Sequence, residues 1–572
     1  MIVAEYISQF IEKKKIKNVF QLSGGMITQI IDKIGERKTI KIFSLLHEQS
    51  TAFAISAAGR ISKKPSIAFA TSGPGATNLL TGIGDCFFDS VPAIFITGQV
   101  NTYELNTDER IRQLGFQETD IVSMAKPITK FSYQIKSANE IFEYLELAYN
   151  ISVSDRPGPV LIDIPMNIQR SYISNDVVKR KDSKLQKVNI SDEGRIDQIV
   201  DTLKKAERPI IWAGNGIHCS NSENIFRTFI SKTKIPVVLS LHGVDLLESS
   251  DPNRIGFIGS YGNRHANKSI RESDCLLFLG ARADIRQTGA NLSLFKDKKI
   301  IRIDCEEGEL NNRISPQISL LSDINSFLKR ILDKIKPSDF SFNQWHDQIQ
   351  ILKNQYPIEK EIPPQIPLIN PITFLNRLSK FNFDQKINTV DVGSHQMWAA
   401  QALNFQRGDR FLTSGGMGSM GFALPASIGA SIESNKTVIA IIGDGSFQMN
   451  IQELHSIFSL NLKIKIVIIN NDSLGMIRQF QDTYLGSRYI GTKWGYTTPD
   501  FCRISQAYQI PSKKIFENRE IDDSLTWFFS DNDAKLLEVK VSSDLNVYPK
   551  IAFGETMDKM EPDYNSKMIE ST

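Results

Sequence analysis

A β-branched run, Thr437 to Ile442, ends in Gly443-Asp444-Gly445-Ser446 and leads into an amphipathic stretch with Ile451, Leu454 and Phe458 on one face. The next apolar run, Ile464 to Ile469, ends in Asn470-Asn471, with 24 residues between Gly445 and Asn470. One βαβ unit accounts for this pattern, and it sets Asp444 and Asn471 side by side at the carboxyl edge of a parallel sheet, where open α/β sheets bind ligands. A carboxylate and an amide oxygen there suit a hard divalent cation such as magnesium, which prefers oxygen ligands and shares its shell with phosphate oxygens. The glycines let the backbone approach phosphates, and the helix start adds N–H donors. A βα turn with an Asp cap would explain the Gly-Asp-Gly alone. The paired asparagines at this distance favour the metal–phosphate reading.

The same logic extends along the chain. Strand-like Asn18 to Leu22 ends in Ser23-Gly24-Gly25, Ile42 to Leu46 ends at His47-Glu48, and Ser66 to Thr71 ends at Ser72-Gly73-Pro74-Gly75. Apolar runs closed by glycine turns and followed by helical periodicity read as βα units of a parallel sheet. Val160 to Pro165 reads as the last strand of this first unit, followed by a polar linker that carries Lys179-Arg180-Lys181. A second α/β unit opens at Pro209 and runs to about residue 335, where Pro357, Pro363, Pro364, Pro367 and Pro371 mark a boundary. The expected architecture is three doubly wound parallel-sheet domains in an α/β fold, at 1–170, 190–335 and 371–545, with an extended tail at 546–572. A length of 572 residues accommodates three or four cores of ordinary size.

Charge narrows the partners. Lys plus Arg number 67 against 64 Asp plus Glu, a net +3 that does not point to nucleic acid or an acidic membrane as the main partner. The five cysteines, Cys86, Cys219, Cys275, Cys305 and Cys502, form no CxxC pair, which fits a reducing cytoplasm rather than a disulfide framework. No apolar run approaches the ~18 residues of a membrane span, and the amino terminus lacks the pattern of an export signal.

The phosphate-site pattern resembles the fingerprint of thiamin diphosphate enzymes. Gly393-Ser394-His395-Gln396-Met397-Trp398 and Gly415-Gly416-Met417-Gly418-Ser419-Met420-Gly421 resemble cofactor-lining segments of acetolactate synthases (acetohydroxyacid synthases). In the first unit, Leu46-His47-Glu48-Gln49, the run Ala70 to Asn78 and the run Asp89 to Val100 are similar to the same family. The resemblance implies that Asp444, Asn471 and the main-chain oxygen of Ser473 hold Mg2+ against the diphosphate, and that Ser394 and His395 touch the phosphates. It further implies that Met420 props the bent cofactor, with Gly25, Pro74, Asn78, Gly418, Gly445, Ser446, Gly475 and Met476 around it. Glu48 is the implied acid/base partner of the aminopyrimidine, sharing a proton with a ring nitrogen so that the ring can activate the thiazolium carbon.

On the substrate side, Phe116-Gln117-Glu118-Thr119 matches the family's substrate-facing segment, and Gln117 is the implied partner of a carboxylate or enolate oxygen. The central unit resembles an FAD domain through Gly214 and Gly216 and through Arg282 and Arg286, implied contacts of an FAD phosphate or ribose. Two positions depart from the family: Met166 stands where a lysine is usual and Phe480 where a tryptophan is usual. The segment Gly259 to Asn263 also lacks the family's Met-His-Gly text. The implied activity is decarboxylation of pyruvate or a related 2-oxoacid and transfer of the two-carbon unit to a carbonyl acceptor, as in branched-chain amino acid biosynthesis. The departures leave another acceptor open, such as a keto sugar in surface polysaccharide synthesis. A non-catalytic cofactor-binding subunit would be expected to have lost Glu48 or a metal ligand, and both are present. The resemblance also implies a cytoplasmic homodimer or homotetramer with the cofactor between subunits, and leaves room for a regulatory subunit.

Overall fold

The structure is a computed structural model of the chain and describes residues 1–108, 110–174, 192–363, 366, 368–381 and 385–563. Three six-stranded parallel sheets succeed one another along it. The first contains β1 (Asn18–Gln21), β2 (Lys41–Ser44), β3 (Ser66–Ala70), β4 (Ala93–Gln99), β5 (Phe131–Gln134) and β6 (Pro159–Pro165). The second contains β7 (Pro209–Ala213), β8 (Val237–Leu239), β9 (Arg254–Phe257), β10 (Cys275–Leu279), β11 (Lys299–Asp304) and β12 (Ile318–Leu321). The third contains β13 (Ile387–Val390), β14 (Arg410–Thr413), β15 (Val438–Gly443), β16 (Ile464–Asn470), β17 (Ser512–Ile515) and β18 (Lys535–Lys540). Strands β4, β6, β15 and β16 are buried at every position, as expected where helices cover both faces of a parallel sheet.

The first sheet runs β2-β1-β3-β4-β6-β5 and the third β14-β13-β15-β16-β18-β17, so the outer domains share one winding. The central sheet runs β12-β11-β10-β7-β8-β9, the order of a dinucleotide-binding fold whose switch point lies between β7 and β10. Each sheet therefore brings its glycine turns to one carboxyl edge.

The outer domains meet along two helices, Glu48–Ser62 and Ala423–Ser434, which share a core. Small residues make that approach possible, since a Cβ added at Gly429 would sit 1.9 Å from the Ala54 carbonyl oxygen. The helix that starts at Glu48 is thereby fixed against the domain that carries Asp444.

One expectation changes. Residues 546–563 do not form an extended tail: Lys550–Ile551 (β19) pairs antiparallel with Met560–Glu561 (β20), and this hairpin packs on the central domain. Arg264 explains it, since its buried guanidinium pairs with Glu361 at 2.7 Å and donates to the Met560 carbonyl at 2.8 Å, while Asn267 donates to the Met557 carbonyl. The linker cluster Lys179-Arg180-Lys181, Pro364 and Pro367 lie outside the described residues.

Candidate functional site

Strands β15 and β16 pair in register, Gly443 opposite Ile469, so Asp444 and Asn471 emerge together from the carboxyl edge of the third sheet. Asp444 is 3% exposed and accepts the Gly445 N–H at 3.0 Å and the Ser473 N–H at 3.3 Å. Burial pushes its carboxyl up to about 7, and the nearby Asp472 charge adds to the shift. A cation would relieve both effects. Asn471 and Ser394 crowd one side of the site: a Cβ at Gly475 would lie 2.7 Å from Asn471 Nδ2 and 2.7 Å from Ser394 Oγ.

Ser394 and His395 open the helix Ser394–Ala402 immediately after β13. The imidazole lies against Gly393 and Gly443, and burial lowers its pKa to about 3, so the ring is neutral. Among the described residues, four buried polar atoms here have no hydrogen-bond partner: Ser394 Oγ, His395 Nε2, Ser473 Oγ and the Tyr496 hydroxyl. Buried groups are ordinarily satisfied, so their concentration at one sheet edge marks a place shaped for a polar ligand. Among the described residues no three His, Cys, Asp or Glu side chains form a metal cluster, which leaves one carboxylate with amide and main-chain oxygens as the donor set. That set fits a hard cation shared with phosphate, not a zinc-type centre.

The amphipathic stretch after Asp444 was expected as one helix. It forms two, Asp444–Met449 and Glu453–Ser459, and Phe458 is 41% exposed. Asn450 causes the break, because its buried side chain donates to the Gly421 carbonyl at 2.8 Å and accepts Ser50 Oγ at 3.0 Å. Gly421 follows Met420, and Met420 approaches Gly445, where an added Cβ would lie 3.4 Å from Met420 Cε. Gly418 has φ +69° with open space about it, while Ser446 donates to the Val392 carbonyl and Met476 packs on the core behind the site.

In the first domain Glu48 is buried at the start of its helix, and Asn78 Nδ2 donates to Glu48 Oε2 at 3.0 Å. The preceding strand end is held by the third domain, through the Leu46 N–H donated to Glu453 Oε1 at 3.1 Å. Gln117, at φ +65°, packs on Gly73 beside the short helix Pro74–Asn78. Glu48, Pro74, Asn78 and Gln117 are thus gathered at one sheet edge. Gly25 opens a short turn after β1, with no atom within 4 Å of an added Cβ. Phe116 is 80% exposed, and Met166 starts the helix after β6. Among the described residues no hydrogen bond or ion pair joins Glu48 to Asp444.

A cavity of about 400 Å³ runs from the central switch point to the Gly415–Gly418 loop. Gly214, Gly216 and Gly280 line its inner end, and a Cβ at Gly216 would lie 2.6 Å from the Gly280 Cα, so these turns pack backbone to backbone. Arg282 and Arg286 line it as expected, but Arg282 is engaged by Glu309 at 3.2 Å and Arg286 is exposed. Arg156 also reaches this wall, and Asp304 stands at the end of β11. Cations beside a switch point and an acid at a strand end fit a dinucleotide.

Two features escaped the sequence reading. The Tyr496 phenol is pushed up by burial and then by the Asp444 charge, and it comes from a loop with no motif of its own. Asp89 joins all three domains: its carboxylate meets Arg60 at 3.0 Å, His242 at 3.0 Å and the N–H groups of Gly415 and Gly416 at 2.9 and 2.7 Å. The signal was present, since Asp89 opens one of the family-like segments.

Comparison with known proteins agrees with this geometry. Residues 1–124 match the family described as "Thiamine pyrophosphate enzyme, N-terminal TPP binding domain", residues 196–331 its central domain and residues 391–539 its C-terminal TPP binding domain. The acetolactate synthase large subunit of Cyanidium caldarium is 35% identical over 562 residues, covering 96% of this chain and 94% of that protein. That of Lactococcus lactis is 33% identical, covering 97% and 95%, and the isozyme 2 large subunit of Escherichia coli is 32% identical, covering 99% of each.

Proposed function

Because the chain belongs to the thiamin diphosphate-dependent acetolactate synthase large-subunit family, we propose that it decarboxylates pyruvate or a related 2-oxoacid and transfers the two-carbon unit to a carbonyl acceptor. The carrying observation is the group of unpartnered buried atoms around Asp444, Ser394 Oγ, His395 Nε2 and Ser473 Oγ, which a diphosphate and its metal would satisfy. Bound thiamin diphosphate supplies a carbon nucleophile and a sink for the electron pair released with carbon dioxide. Asp444, Asn471 and the Ser473 main-chain oxygen would hold Mg2+, and Ser394 and His395 would meet phosphate oxygens. Glu48, oriented by Asn78, would hold and move a proton at a ring nitrogen. Gln117 would orient the substrate oxygen.

FAD is the dinucleotide proposed for the central cavity, with Arg156, Arg282 and Arg286 toward its diphosphate and Asp304 toward a ribose hydroxyl. The active unit is proposed to be at least a cytoplasmic homodimer, as the resemblance to the family implies. The relatives are named large subunits, which supports a smaller regulatory subunit beside this one. Among the described residues no helix is long and apolar enough to cross a membrane.

One observation favours an acceptor other than pyruvate. Phe480 is 54% exposed and lies 4.6 Å from the Tyr484 ring, which lies 5.5 Å from Phe553. This open aromatic row, with Met166 in place of a cation, suits a larger uncharged carbonyl compound such as a keto sugar. The test is a product assay on purified protein with thiamin diphosphate, Mg2+ and pyruvate, with and without FAD and candidate acceptors. Complete conversion of pyruvate to acetolactate without competition by larger acceptors would favour the plain synthase reaction. No carbon dioxide release would overturn both readings.

A further inference from the structure

The amino-terminal edges of the first and third sheets meet around a second cavity, of about 730 Å³, on the side opposite the glycine turns. Six lysines line it: Lys15, Lys17, Lys38, Lys41, Lys64 and Lys463, all exposed. Among the described residues none of the six has an ion pair. The one carboxylate in the lining, Glu433, accepts Asn18 Nδ2 at 2.8 Å. A chain that is nearly balanced overall, at net +3, therefore concentrates unpaired positive charge in one concavity. Cations are favoured where helices end, and Lys15 and Lys64 stand two residues past helix ends. Lys17, Lys41 and Lys463 instead lead into β1, β2 and β16, where no helix dipole calls for them. Like charges held together raise one another's energy unless an anion joins them. Between the lysines the wall is mixed: Phe43, Pro65, Ile432 and Leu462 give it an apolar patch, and Asn18, Asn435 and Asn461 add amide groups beside it.

We propose that this groove binds a small polyphosphorylated ligand of the nucleoside polyphosphate class, the phosphates among the lysines and the base against the apolar patch. The whole-chain balance argues against a long polyanion as main partner but does not bear on a compact one. The position gives such a ligand leverage. Helix Glu48–Ser62 spans 15 residues, about 22 Å, from the acid/base residue to the groove, and β16 runs from the groove to Asn470. A ligand there grips both outer domains at once.

The test is calorimetry on the full protein saturated with thiamin diphosphate, Mg2+ and FAD, so that those sites are occupied. ATP and inorganic tripolyphosphate are titrated separately into the wild type, the Lys17→Glu/Lys41→Glu variant and the Lys17→Arg/Lys41→Arg variant. The expected result is saturable ATP binding at one site per chain, weakened roughly tenfold or more by the charge reversal and kept by the arginines. Tripolyphosphate is expected to bind the same site more weakly, because it lacks a base to meet the wall. Turnover without ATP should be the same in all three proteins, since these lysines lie outside the catalytic machinery. Equal binding of the two probes would overturn the assignment to nucleotides, and ATP affinity unmoved by the charge reversal would overturn the site. No saturable ATP binding at physiological salt would overturn the proposal altogether, as would a single-stranded oligonucleotide displacing ATP from the groove at lower concentration.

Discussion

Asp89 Oδ1 accepts the backbone N–H of Gly416 at 2.7 Å across 327 positions of sequence, so the third-domain loop that lines the central cavity is held by a carboxylate of the first domain. Arg60 and His242 complete the shell, and they hold the Asp89 carboxyl well below its ordinary range despite burial. Asp89→Ala takes from the buried Arg60 the nearer of its two carboxylates, Asp85 remaining at 3.5 Å, and leaves two N–H groups without their acceptor; breaking a buried pair typically costs about 3–5 kcal/mol, an upper bound here. The expected outcome is a lower thermal midpoint together with weaker thiamin diphosphate binding. Calorimetry and thermal melts showing neither change would remove the loop-holding role.

Asp444→Ala should abolish saturable thiamin diphosphate binding at ordinary Mg2+ concentrations, because it deletes the only charged ligand of the candidate metal set. Unchanged affinity by calorimetry would defeat the assignment. Asn471→Ala, which removes a neutral ligand, should weaken binding without abolishing it.

Glu48→Gln keeps the size of the side chain and should leave cofactor affinity largely intact. Turnover should fall by roughly the 10²- to 10⁴-fold typical of general acid–base groups. Proton exchange at the thiazolium carbon, followed by NMR, should slow in parallel. Exchange at the wild-type rate would count against the role.

Met166→Lys with Phe480→Trp should shift acceptor preference toward pyruvate. A charge-assisted hydrogen bond contributes about 1.5–3 kcal/mol, or roughly 10- to 150-fold in relative specificity. The readout is the ratio of acetolactate to released carbon dioxide with pyruvate alone, and a ratio the two substitutions leave unmoved would mean that other positions choose the acceptor.

Asp163, on β6, accepts Thr97 Oγ1 at 2.6 Å, Gln134 Nε2 at 2.9 Å and Gln99 Nε2 at 3.1 Å, yet burial raises its carboxyl to about 6. Below pH ~4 the group is protonated in both folded and unfolded chains and has no effect. Between about pH 4 and 6 the unfolded chain ionises first, so stability falls as pH rises, by about 3 kcal/mol once the folded pKa is passed. Denaturant melts at pH 4.5 and 7 should show a smaller pH difference in Asp163→Asn than in the wild type. An equal difference would reject the assignment.

The strand–turn units were legible because each is local: an apolar run, a glycine turn and a periodic stretch lie within a few tens of residues. Asp444 and Asn471 could be placed side by side for that reason. Asn450 and Asp89 could not be placed, because their partners come from other domains and no spacing rule connects them. Tyr496 needed the fold to bring its loop to Asp444. The tail misled for a related reason, since its polar, proline-marked text reads as extended until Arg264 and Asn267 supply partners for its carbonyls.

The segment that precedes the hairpin also fastens the helix Gly475–Tyr484, which follows Asn471 and Ser473. Gln479 exchanges two hydrogen bonds with the backbone of Val547, each 2.9 Å, and Arg478 donates to the Leu545 carbonyl at 2.9 Å. A nascent chain that has emerged only as far as residue 484 lacks this fastening. This helix is therefore fastened late in synthesis, after the sheet that carries Asp444 has its strands β13 to β16, and the order of translation becomes an order of assembly.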